Sequence, residues 1–178
     1  MRLSVVKLFY TAILIMLFLA SCHNSNDRSG NNVPAKDVQE PLVYANKQAI
    51  NAEKEQIDNY IRRHNWKMIE TGSGLRYAIY KQGSGPQAEV GKIAVLSFSV
   101  QLISGEEIYS SDKDGVKEFL IGRGGVESGL EEGILLLRVG DRAKFIIPSH
   151  LAFGLLGDQN KVPPKSTLIY DIELLNLK

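Results

Sequence analysis

The chain has 178 residues, 44% of them hydrophobic and 23% charged, with 21 basic residues against 20 acidic ones. That length supports one ordinary domain with an appendage and excludes two independent cores. A formal charge of +1 and the absence of any basic block give no footprint for nucleic acid or for an anionic membrane surface.

The chain opens with a basic start (Arg2, Lys7), an apolar run from Leu8 to Ala20, and a small-residue cleavage site at Leu19-Ala20-Ser21-Cys22. This is the organisation of an export signal over residues 1–21, and the run is shorter than the roughly 20 residues that a membrane span needs. Cys22 is the only cysteine, and the tetrapeptide resembles the lipobox of bacterial lipoproteins. That resemblance implies a thioether from Cys22 to diacylglycerol and attachment to the membrane by lipid. In a plain secretory peptide, Cys22 would instead be a lone thiol in an oxidising compartment. Cleavage would take the 21 basic residues to 19 against 20 acidic ones, a formal charge of −1.

From His23 to about Pro41 the sequence is Asn, Ser, Gly, Asp and Pro with isolated apolar residues. Residues 22–41 are therefore expected to form a flexible tether. Ile50, Ile57, Tyr60 and Ile61 recur at helical spacing, and Asp58 stands four residues before Arg62. This predicts a helix over residues 42–65 with an i,i+4 ion pair. Its narrow apolar face suits either packing on the following domain or oligomerisation.

Leu75 to Lys81 alternates as a strand does and is closed by the turn residues Gln82 to Pro86. Longer strands are expected at Ile93 to Ile103, Arg142 to Pro148 and Thr167 to Leu177, with short ones at Glu107 to Ser110 and Lys117 to Ile121. Alternation puts Phe98 and Val100, Phe145 and Ile147, and Tyr170 and Ile172 on buried faces. Period two throughout predicts an antiparallel sheet with one buried face. Ser128 to Leu137 carries the single strong helical pattern after residue 66, so the domain 66–178 is α+β.

Three motifs that suggest other chemistry fail. Gly122-Arg123-Gly124-Gly125 begins a dinucleotide-type loop, but the sixth position is Glu127. Ser110 and Ile121 occupy the first and last positions of the calcium-type loop that Asp112-Lys113-Asp114-Gly115 would need. Ser149 and His150 are adjacent, and on a strand neighbours point to opposite faces, so they cannot form a nucleophile–base pair. His23, His64 and His150 share no ligand spacing, and neither a metal nor a cofactor is implied.

The most informative stretches are VESGLEEGILLLRVGDRAKFIIPSHLAFG, Val126 to Gly154, and VPPKSTLIYDIELL, Val162 to Leu175. The Gly129 to Gly133 helix with paired acids, the Val139 to Lys144 strand entry and Ala152-Phe153-Gly154 occur in order. Val162-Pro163-Pro164 and the closing strand Thr167 to Leu175 complete the series. Together they resemble FKBP-type peptidyl-prolyl cis-trans isomerases over about residues 90–178. The resemblance implies a twisted half-barrel sheet wrapped around one short helix, and action on proline-containing polypeptides.

Carried over by position, the family's pocket falls on Phe98, Ile108, Tyr109 and Phe119, with backbone donors at Val126 and Glu127. Leu130 stands at the floor, Phe153 and Val162 come from the long loop, and Tyr170 from the last strand. Ile108-Tyr109 stands where the family usually has Phe-Asp, so its carboxylate is missing; Tyr109→Asp would be expected to raise activity or leave it unchanged. Phe153 replaces a common tyrosine, and Leu130 a common tryptophan. Tyr109 and the Gly157 to Lys161 loop resemble a subgroup, the FKBP-type lipoproteins associated with gliding motility. The implied protein is an isomerase of the cell envelope, lipid-anchored at Cys22, with the missing aspartate after Cys22 favouring the outer membrane and a periplasm-facing domain. A binding or chaperone module with little turnover is the other reading, and the oligomeric state is open.

Overall fold

The computed structural model describes residues 35–178, and residues 44–178 form one compact unit. The export signal, Cys22 and the tether as far as residue 34 lie outside the described residues. Helix α1 spans Ala35–Arg63, beginning seven residues before Leu42 and running through Pro41. Residues 35–41, expected in the tether, are thus helical; Ala35, Lys36, Gln39 and Glu40 favour a helix even without an apolar face to bury.

The helix ends on Asn65, whose φ of 54° is left-handed. Trp66 N–H reaches Ile61 O at 3.1 Å and Asn65 N–H reaches Arg62 O at 3.2 Å, which satisfies the last carbonyls. The expected Asp58–Arg62 pair does not form. Asp58 instead meets Arg76 at 3.3 Å, because Arg76 is buried and also needs Glu70 at 2.9 Å, while Arg62 donates to Asn59.

The strands are β1 Ile69–Glu70, β2 Arg76–Lys81, β3 Ile93–Leu102, β4 Glu107–Ser110, β5 Lys117–Leu120, β6 Arg142–Ile147 and β7 Leu168–Leu177. They form one sheet of order β1-β2-β6-β7-β3-β4, with β5 beside the first half of β3. Every pairing is antiparallel. A single helical turn, α2 (Ser111–Asp114), separates β4 from β5, and α3 (Ser128–Ile134) precedes β6.

Helix α3 lies against one face of the sheet, with Leu130 and Ile134 wholly buried among Phe98, Phe145, Ile147 and Tyr170. Gly129 and Gly133 allow that approach: a Cβ on Gly133 would stand 2.5 Å from the Phe145 ring, and one on Gly129 2.5 Å from Ile147. The helix stops at Ile134, short of the expected Leu137. Tighter turns (Leu136 N–H to Gly133 O, Leu137 N–H to Ile134 O) swing Leu137 into the core before the chain enters β6.

The sheet is not buried on one face only. Ile146 and Ile169 point to the opposite face and are covered by Ile57 and Tyr60 of α1, with Trp66 and Met68 at the edge. Of the apolar helical face, Ile57 and Tyr60 pack on the domain, while Ile50 is exposed.

Candidate functional site

Two adjoining cavities of about 360 and 420 Å³ open beside α3 and share Lys117, Glu127 and Phe153. The first is walled by Phe98 and Val100 of β3, Tyr109 of β4, the Asp114–Lys117 turn, Phe153 and Tyr170. The second adds Gly125, Val126 and Ala152. A larger hollow of about 720 Å³ runs along α1, but all its lining residues belong to that one helix, so it is open surface. The cleft beside α3 is the concave site that the core builds.

Of the expected pocket residues, Phe98, Tyr109, Val126, Glu127, Phe153 and Tyr170 line the cleft. Ile108, Phe119, Leu130 and Val162 do not line it; they are buried in the core behind it. For β5 the lining side chain is Lys117, two residues before Phe119, with its ammonium 5.7 Å from the Phe98 ring centroid. The alternation that puts Phe119 on the inner face puts Lys117 there too, at the open end of the strand. Lys117, Val100, Asp114, Gly115 and Val116 line the cleft but are not among the positions carried over from the family.

The site also contains a carboxylate, from a position valued for its backbone alone. Glu127 is 7% exposed, and its Oε1 accepts the Tyr170 hydroxyl at 2.6 Å. Its Oε2 is buried with no partner among the described residues. Burial, then the Glu127 charge and hydrogen bond, push the Tyr170 hydroxyl well above the ordinary tyrosine range. Tyr170 therefore stays protonated, and its single donor is engaged inside the protein. The cleft thus includes one buried carboxylate, Glu127, although the Ile108-Tyr109 pair supplies none.

Tyr109 does not leave an empty place. Its hydroxyl donates to Asp158 and accepts from Asn160 at 3.3 Å, while Lys161 reaches Ile108 O at 3.0 Å and lies 4.7 Å from the Tyr109 ring centroid. The Gly157 to Lys161 loop is therefore fastened to β4 through Tyr109. Gly157 is required in that loop: its φ is +68°, and a Cβ would fall 2.1 Å from Val162 O. Burial pushes the Asp158 carboxyl up, but hydrogen bonds from Tyr109 and from the backbone of Val162, Asn160 and Lys161 outweigh it and hold it below the usual carboxylate range.

Two excluded motifs have structural roles. Glu131 Oε1 accepts the N–H groups of Gly122, Arg123 and Gly124 at 2.9, 3.2 and 3.0 Å, so the glycine loop closes on the protein's own carboxylate. Ser149 and His150 lie on a 3-10 turn, Ser149–Leu151, rather than on a strand. Their side chains engage Glu53 and Ser73 O respectively, not one another.

The sequence profile of FKBP-type peptidyl-prolyl cis-trans isomerases matches residues 85–175. The chain is 31% identical over 144 residues to the Neisseria meningitidis protein named "Probable FKBP-type peptidyl-prolyl cis-trans isomerase FkpA", covering 80% of this chain and 53% of that one. It is 36% identical over 115 residues to "Peptidyl-prolyl cis-trans isomerase FKBP16-3, chloroplastic" of Arabidopsis thaliana, covering 62% and 52%. The crystal structure of FkpA from Escherichia coli superposes with a TM-score of 0.64 at 25% identity, covering 97% of this chain and 82% of that one. With an antiparallel sheet, the short helix α3 against one of its faces and a cleft beside that helix, the chain belongs to the FKBP-type peptidyl-prolyl cis-trans isomerase family. It spans about half the length of these two curated relatives.

Proposed function

We propose that this protein catalyses cis–trans isomerisation of X-Pro bonds in exported polypeptides, held at the cell envelope by lipid on Cys22. The observation that carries the reading is the cleft of Phe98, Val100, Phe153 and Tyr170 on the family's scaffold. Rotation about the amide bond faces a barrier of roughly 18–20 kcal/mol, because the planar form is resonance-stabilised. In the twisted form the carbonyl oxygen and the nitrogen carry less separated charge, so an apolar, water-poor wall favours it over the planar ground state. Each tenfold in rate needs about 1.4 kcal/mol of such preference, and neither a cofactor nor a nucleophile is required.

Val126 and Glu127, whose backbone N–H groups the family resemblance assigns to a substrate carbonyl, are among the residues that line the second cavity. The lipid anchor and envelope location rest on Arg2 to Cys22, and the missing aspartate after Cys22 favours the outer membrane. The gliding-motility subgroup rests on Tyr109 and the Gly157 to Lys161 loop.

One observation favours a second reading, a binding or chaperone module with little turnover. The Tyr109 and Tyr170 hydroxyls are both taken by internal carboxylates, leaving few donors for a substrate carbonyl. Two assays separate the readings: a protease-coupled proline-peptide assay, and suppression of aggregation of an unfolded protein without prolines. Isomerase function predicts peptide turnover above the uncatalysed rate, whereas a chaperone module predicts suppression alone.

A further inference from the structure

Helix α1 contributes no residue to the cleft, yet one of its side chains holds both ends of the segment that walls it. Glu53 Oε1 accepts Ser149 N–H at 2.7 Å and the Thr167 hydroxyl at 2.7 Å, and its Oε2 accepts the Ser149 hydroxyl at 3.0 Å. Ser149 stands just after β6 and Thr167 just before β7, so the two stems of the 148–167 segment meet on one carboxylate. Thr167 is 3% exposed, and a hydroxyl buried to that extent needs an acceptor.

The placement is passed on through the backbone. Ser149 O accepts the N–H groups of Ala152 and Gly154 at 3.1 and 2.8 Å, and Phe153 lies between them in both cavities. A segment of this length without a strand has many conformations available, and two charge-assisted stems select among them.

We propose that Glu53 is a positioning residue for the cleft: by gathering Ser149 and Thr167 it sets where Phe153 stands, which makes α1 part of the working site. Only the kinetic readout of this proposal rests on the isomerase reading. The test uses the full chain with Glu53→Ala, Glu53→Gln and Glu53→Ala/Thr167→Val, and a short chromogenic proline peptide.

Misplacing one wall should lower kcat/KM about tenfold in Glu53→Ala, mostly through KM. Trp66 fluorescence should hold steady, because α1 stays docked through Ile57 and Tyr60. Glu53→Gln, which keeps one carbonyl acceptor, should recover part of the loss, and Thr167→Val should add little to Glu53→Ala. Unchanged kinetic constants per folded molecule, alongside a lower Tm, would overturn the proposal and leave Glu53 as a fastening for the helix alone. If Glu53→Ala shifts the Trp66 spectrum, Glu53→Gln decides by the same criterion. If the unaltered protein turns over no peptide, the isomerase reading fails separately. Amide exchange at residues 151–156 then decides the positioning claim: faster in Glu53→Ala supports it, unchanged overturns it.

Discussion

Tyr109 ties the Gly157 to Lys161 loop to β4 through its hydroxyl. Ile108-Tyr109 looked like the loss of a carboxylate, so restoring Asp at 109 would have helped or done nothing. In the structure Tyr109 donates to Asp158, and Tyr109→Asp would replace that donor with a second negative charge beside the first. Tyr109→Asp should therefore lower kcat/KM about tenfold by releasing the loop, with Tyr109→Phe less affected; steady-state peptide assays on both variants check this. Leu130 changes its role as well. It is wholly enclosed and lines neither cavity, so Leu130→Ala should cost about 2–5 kcal/mol in denaturant unfolding. Leu130→Trp would overpack this enclosed position and should destabilise by about 1–3 kcal/mol without tightening ligand binding. Lys117 and the side chain of Glu127 show why part of the site was illegible: Glu127 was expected to supply only its backbone, and only the fold shows which charged side chains turn inward.

The central strands of the sheet were legible from alternation, and their observed ends fall within one residue of the expected ones. Coverage of the second face was not inferred, although the signal was present. Phe145-Ile146-Ile147 and Leu168-Ile169-Tyr170 are unbroken apolar runs, and a strand buried on both faces reads as a run. The Asp58–Arg62 pair failed for the opposite reason, since helical spacing says nothing of a buried arginine on a strand that needs the same acid. At the 148–167 segment, the depressed Asp158 carboxyl has a consequence for pH. A group whose folded pKa lies below its ordinary value of 3.8 stabilises the fold above that pH and loses its contribution as pH falls through the depressed value. Loop anchorage should accordingly be flat between about pH 5 and 8 and weaken only in stronger acid. Amide exchange of residues 157–162 against pH reads this directly, and Asp158→Asn should remove the acid-side change.

On the proposed reading, lipid on Cys22 would hold at the membrane a folded domain that includes α1 from residue 44 on. Cys22→Ser should release the protein from membranes without altering its melting curve; retention in the membrane pellet after cleavage of the signal would show a second attachment. A fragment beginning at residue 66 is a poor substitute for the protein in any assay, because it would uncover Ile146 and Ile169 and remove Glu53 from Ser149 and Thr167. On the proposed reading, the cleft beside α3 lowers the barrier to rotation about an X-Pro bond. Two-dimensional exchange spectra of a short proline peptide with a substoichiometric amount of the protein test it most directly. Isomerase function should give cis–trans exchange well above the unaided rate, shift changes at Phe98, Tyr109, Phe153 and Tyr170, and loss of both in Phe153→Ala. Unaccelerated exchange, with the peptide bound in that cleft or elsewhere, would contradict it.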